Sequence, residues 1–127
     1  MRWQGIVIHH SASHDASANE IDRWHTERGF AEIGYNFVIR FDGCIEPARD
    51  WKKAGAHARG RNTTHLGICL TGHFGNYAPT HEQLVSARRL VKGCMSRYGI
   101  PIEKIEPHHQ QCPGELFPWV EFIDSLR

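Results

Sequence analysis

Long apolar runs are missing from this sequence. No stretch of its 127 residues approaches membrane-spanning length, and the run Ile6–Val7–Ile8 near the N-terminus is too short for the core of a signal peptide. The expectation is a protein made in the cytoplasm without membrane insertion, needing help to leave if it acts outside. Net charge is nearly absent as well, since 15 Lys+Arg against 14 Asp+Glu leave +1. That removes the global basic field used by nucleic-acid binders. Internal repeats, linkers and low-complexity segments are also lacking. The chain therefore reads as one domain, residues 1–127, large enough for a core without staples, and a monomer is expected. Cysteine is sparse. Cys44, Cys69, Cys94 and Cys112 would allow two disulfides, but Cys69 lies within the buried-strand pattern LGICLTG and Cys94 on the apolar face of a helix. Both read as small buried hydrophobes.

What is present is an ordered series of α and β signals. Gly5–His9 reads as a buried strand with His9 at its carboxyl end, a usual position for site residues in α/β sheets. Ser17 with Glu20 has the form of a capping box, opening a helix (Ile21, Trp24, Arg28) that stops at Gly29. Tyr35–Phe41 alternates like a strand, Asp42-Gly43 turns it, and Cys44–Glu46 returns up to Pro47. Residues 48–62 have no sustained period and read as a long surface loop, of the kind that is usually functional. Leu66–Thr71 is a second buried strand and Gly72–Pro79 a loop. Thr80 with Gln83 makes a further capping box, followed by an apolar face of Leu84, Ala87, Val91, Cys94 and Tyr98 closed by Gly99 and Pro101. Ile102–Glu106 is expected to be a short strand, and Pro118 opens a last helix with Trp119, Phe122, Ile123 and Leu126 on one face. The predicted fold class is α/β: a single domain with a central mixed sheet flanked by about three helices.

The densest chemistry lies in PHHQQCPG, Pro107–Gly114, where His108, His109 and Cys112 fall within five positions of a Pro- and Gly-bounded loop. Catalytic zinc is held by three nitrogen, sulfur or oxygen ligands with a fourth position open. The loop can supply two, and His9 at the end of the first strand can supply the third. A second reading uses Cys112 as a thiolate nucleophile with His108 or His109 as its base, but it leaves His9 without a role.

The motifs IVIHHSAS, RWH, GYNF with DG, GAHARGRN, LGICLTG and CPG occur in this order along the chain. In that ordered set the sequence resembles the type 2 N-acetylmuramoyl-L-alanine amidases, a family that includes short phage endolysins and the animal peptidoglycan recognition proteins. The segment DRWHTERGFAEIGYNFVIRFDG is especially similar to the small zinc amidases of bacteriophages. The resemblance runs from Ile6 to about Leu126. It implies zinc (Zn2+) held by His9, His108 and Cys112, with His109 as the alternative to His108. It also implies an active-site tyrosine at Tyr35. The substrate implied is the amide between the lactyl group of N-acetylmuramic acid and L-alanine in peptidoglycan, reached at the cell wall after holin-type release. His57 matches a cleft position of the family. Trp51, Arg59 and Asn62 are expected beside it, and the loops around 51–61 and 72–78 are expected to line the groove.

Two departures stand out. Only His109, Gln110 and Gln111 separate His108 from Cys112, a shorter spacer than is usual in the family. Gln110 stands where phage relatives carry a lysine, so a neutral amide replaces a full charge at the oxyanion. Gln110 is accordingly assigned a catalytic role, or a cation of the 52–61 loop substitutes for it. Cys69 occupies the place of a glutamate in some cytoplasmic recycling amidases, which favours the lysin branch. The competing readings are a peptidoglycan-binding module that does not cut and a recycling amidase acting on soluble muropeptides.

Overall fold

A computed structural model describes residues 2–127. Five strands form one sheet: β1 (Gly5–His10), β2 (Phe37–Ile39), β3 (Ile45–Pro47), β4 (His65–Leu70) and β5 (Ile105–Pro107), in the spatial order β3-β2-β4-β1-β5. β2, β4, β1 and β5 pair in parallel, and β3 adds an antiparallel edge against β2. Every residue of β1 and β4 is buried, as expected where a parallel sheet is covered on both faces.

The covering layers differ. On one face α2 (His81–Tyr98) and α3 (Trp119–Ser125) pack Ala87, Val91, Cys94 and Phe122 onto Ile6, Ile8, Leu66, Ile68 and Leu70. Each large aliphatic side chain buried this way contributes about 1.5–3 kcal/mol. On the other face α1 (Ala18–Glu27) sets Ile21 and Trp24 against Val38, Ile33 and Tyr35 in a smaller cluster. Successive strand residues point to opposite faces. Because Val38 pairs with Cys69 and Cys69 with His9, this register lines Val38, Cys69 and His9 along the thinner, α1 side.

The mixed sheet with three helices is as the sequence pattern predicts, with local differences. The expected Tyr35–Phe41 strand is only Phe37–Ile39. Asn36 is buried just before it; its side-chain oxygen accepts from Gly67 N–H at 2.9 Å and its amide donates to Arg49 O at 3.3 Å. Tyr35 thus leaves the alternation and joins the α1-side cluster. Residues 102–104 form a 3-10 turn rather than strand, and pairing with β1 begins at Ile105. Ser17 caps α1 through Glu20 N–H, but the Glu20 carboxylate turns to His14 (3.0 Å), so the box is not reciprocal.

At α2 both halves of the box form, and Gly99 ends the helix in the left-handed conformation. Gln83 does more than cap. Fully buried, its amide also donates to Ile39 O (3.1 Å) and Thr71 O (2.8 Å), tying α2 to the ends of β2 and β4.

Candidate metal centre and cleft

His9 reaches the α1 face near the carboxyl end of β1. His108 follows immediately after β5 and is held there by its own N–H donating to Ile8 O at 3.3 Å. Cys112 returns by a tight hairpin in which His109 and Cys112 exchange two backbone hydrogen bonds, at 3.0 and 3.1 Å. The nitrogen of His9, the nitrogen of His108 and the sulfur of Cys112 all lie within 4.8 Å of one another. Cys112 Sγ is 3.8 Å from His9 Nδ1, and the His9 and His108 ring centroids are 4.6 Å apart. His109 is not in this group. Its Nδ1 accepts from Gln111 N–H at 3.1 Å, and its ring faces a small pocket near Phe117 and Trp119.

The donor set fits a cation. Tetrahedral zinc with nitrogens at about 2.0–2.1 Å and sulfur at about 2.3 Å separates its ligands by roughly 3.3–3.8 Å. A small inward movement from the observed spacing suffices. Burial pushes the Cys112 thiol up to about 11, opposed by His10 N–H, which donates to Sγ at 3.4 Å. That amide is a ready donor to a thiolate. Burial first, and neighbouring imidazoles next, hold His9 well below the usual histidine range; burial and then His109 lower His108 less strongly. Both rings are therefore neutral at pH 7 and have a lone pair to give.

A cleft of about 470 Å³ opens beside these residues, lined among others by His108, Tyr35, His57, Arg59 and Asn62. The Tyr35 ring lies 4.9 Å from that of His9. Burial, and then the Cys69 and Cys112 thiols, raise the Tyr35 phenol well above its ordinary value, so it stays a neutral donor. Asn62 lines the cleft and also folds its loop, its Oδ1 accepting from His57 N–H (2.8 Å) and Ala58 N–H (3.0 Å). Arg28 and Arg59 line the cleft with no carboxylate within ion-pair distance among the described residues.

Several expected positions differ. The 48–62 segment has no regular element, but it is not wholly at the surface: His57 and Ala58 are buried. His57 tucks behind His9, its Nδ1 2.9 Å from His9 Nε2 and its Nε2 2.9 Å from His65 O. It reaches this place because Gly67 leaves the sheet bare; a Cβ there would lie 2.5 Å from the ring. Trp51 is a correction. It lies on the far side of the sheet from His9, in a groove with Phe37, Leu66 and Cys94, with Arg97 5.2 Å above its ring and its carbonyl accepting from Trp3 Nε1. The indole follows the apolar surface left between the loop and α2.

Gln110 is a second correction. The short hairpin turns it toward the Phe117–Trp119 pocket, away from the cleft. The 72–78 loop is a third, because it packs on the other face, with Phe74 N–H donating to His10 Nδ1 at 3.0 Å and Leu116 N–H to Phe74 O at 2.7 Å. His25, which the sequence places under the sheet beside Trp24, has a place in the cleft that the sequence did not give. It is buried and lines the cleft 5.3 Å from Tyr35. Its Nδ1 accepts from Gly34 N–H at 2.9 Å, which leaves the ring hydrogen on Nε2. The Trp-His pair on a helix was the only signal, and nothing in it specifies the tautomer.

The family profile described as N-acetylmuramoyl-L-alanine amidase matches residues 1–115. The chain belongs to this amidase family. It is 33% identical over 118 residues to the endolysin of Escherichia phage T7, covering 85% of this chain and 76% of that protein. Among solved structures, the N-acetylmuramoyl-L-alanine amidase LysC from Clostridium intestinale superposes with a TM-score of 0.94 at 33% identity, over 99% of this chain and 86% of that one. A mutant of Drosophila peptidoglycan recognition protein LB, in complex with tracheal cytotoxin, superposes with a TM-score of 0.78 at 29% identity, over 92% of this chain and 80% of that one. The protein is thus an amidase, and its fold is shared by enzymes and recognition proteins alike. No described helix is long and apolar enough to cross a membrane.

Proposed function

We propose that this amidase hydrolyses the bond between the lactyl group of N-acetylmuramic acid and L-alanine in peptidoglycan, with zinc held by His9, His108 and Cys112, and that it acts on the cell wall in the manner of an endolysin. The observation that carries the reading is the convergence of these three donors, one of which, His108, lines an open cleft. Bound zinc would supply a Lewis acid for the scissile carbonyl and lower the pKa of water toward neutrality.

The chain's own groups do the rest. Tyr35, kept protonated by its surroundings, donates a hydrogen bond toward the reacting carbonyl oxygen as negative charge develops there. His25 Nε2–H offers a second donor from the same wall. With Gln110 turned away, the cations nearest the cleft are Arg28 and Arg59, which serve to hold the peptide stem. The covalent alternative, Cys112 as nucleophile, is disfavoured because burial keeps that thiol protonated when no metal draws the proton off.

The test is incubation of purified protein with intact sacculi and with soluble muropeptides, reading newly freed L-alanine amino termini. Release that stops on chelation and returns with zinc supports the proposal. Binding without release points to a recognition module, release from soluble fragments alone points to wall recycling, and release that survives chelation rules out the metal mechanism.

A further inference from the structure

We infer that His57 is a positioning residue of the metal centre, fixing His9 as the Nε2–H tautomer and thereby making Nδ1 the atom that His9 offers to the metal. The inference rests on the proposed metal-binding reading and adds which atom binds and what selects it.

The chain of hydrogen bonds starts from a group with no choice of role. The His65 carbonyl accepts only, so His57 Nε2, 2.9 Å away, carries a hydrogen. A neutral His57 then has a bare lone pair at Nδ1. That atom faces His9 Nε2 at 2.9 Å, so the hydrogen between the two rings belongs to His9. With its proton on Nε2, the lone pair of His9 sits on Nδ1, the nitrogen 3.8 Å from Cys112 Sγ. The opposite tautomer would set two lone pairs against each other at 2.9 Å and aim an N–H at the site of the cation. A doubly protonated His57 would place a charge in a buried position with no carboxylate bonded to the ring.

The surroundings are shaped for this ring. A Cβ on Gly67 would meet its Cγ at 2.5 Å, and one on Gly55 would meet its Cδ2 at 2.5 Å. Asn62 Oδ1 accepts from His57 N–H at 2.8 Å and fixes the backbone from which the ring projects. Metal-ligating histidines depend on such a partner for tautomer and orientation, and its loss usually costs about 10–100-fold in metal affinity.

Two measurements test the role, and neither uses hydrolysis. Long-range 1H–15N spectra of histidine-labelled, zinc-loaded protein should show His9 protonated at Nε2 and metal-bound at Nδ1. Competition with a chromophoric chelator should show zinc binding weakened about 10–100-fold in His57→Ala. Most of that loss should return in His57→Gln, whose amide can donate to the His65 carbonyl and accept from His9. A His9 proton on Nδ1, or wild-type zinc affinity in His57→Ala, overturns the inference. If the alanine variant does not fold, the wild-type spectrum decides alone. A protein that takes up zinc with this tautomer and leaves peptidoglycan uncut sinks the amidase proposal and leaves the role of His57 standing.

Discussion

Cys112 Sγ lies 3.8 Å from His9 Nδ1, across a sequence separation of 103 positions. β1 carries one of them and the hairpin after β5 the other, so the contact exists only when β5 is paired to β1. Replacing the sulfur with oxygen keeps that pairing but removes the softest of the proposed zinc ligands. Cys112→Ser should retain only a small fraction of the zinc held by the wild type after desalting, by elemental analysis, and should lose hydrolysis in parallel.

Tyr35 stands 4.9 Å from His9 in ring-centroid distance but belongs to no ligand group. Tyr35→Phe should therefore keep its zinc and lose turnover, by about 10²–10³ if the phenol is an oxyanion donor. Equal zinc contents combined with a reduced kcat are the expected result. A kcat within about twofold of wild type would remove Tyr35 from the chemistry.

Acid should weaken the metal-free fold. His9, His25, His57, His65 and His108 are all shifted below the ordinary histidine value, with burial the leading cause, and His57 is lowered to about 4. Their unfolded counterparts take up protons near pH 6.5. Between about pH 6.5 and 4 the unfolded chain thus binds more protons than the native one, and stability falls as pH falls through that window. Thermal melts in chelator should show Tm flat above about pH 7 and dropping steadily below about 6.5. An apo protein equally stable at pH 7 and 4.5 would contradict the buried neutral rings.

Trp51 and Arg59 were expected in one groove, and the structure separates them. Trp51→Ala should leave KM and kcat unchanged and cost stability through lost packing under Arg97, seen as a lower urea midpoint. Arg59→Ala should raise KM for muropeptide several-fold with little change in stability. The reverse pattern would return Trp51 to the cleft.

How much of this was legible in the chain follows from the range of the forces involved. Strands β1 and β4 declare themselves because burial on both faces writes a continuous apolar run, and α2 because its cap and stripe are local patterns. The cluster of His9, His108 and Cys112 was legible because three donors of two types, imidazole and thiol, gather at a strand end and one short loop. The strand at Tyr35–Phe41 was overdrawn because at its start the Asn36 side chain takes the Gly67 N–H, a buried bond that alternation does not record. His57, expected at the cleft from the resemblance, does line it, but its bond to His9 was not legible, because its burial depends on the empty space over Gly67, a contact made ten positions away. Gln110 and Trp51 failed for a related reason. A position in a motif carries no direction, and a hairpin of two intervening residues or a gap beside α2 decides which way the side chain faces.

The brevity of the His109–Cys112 hairpin has an outcome in time as well as in space. Its two backbone bonds leave the sulfur on a tether with almost no slack, and the amide of His10 already marks where it rests. If zinc binds here as proposed, the incoming ion would find its third anchor in place and need not gather a wandering loop. Capture should then proceed at the pace of diffusion and desolvation, without a slow conformational phase.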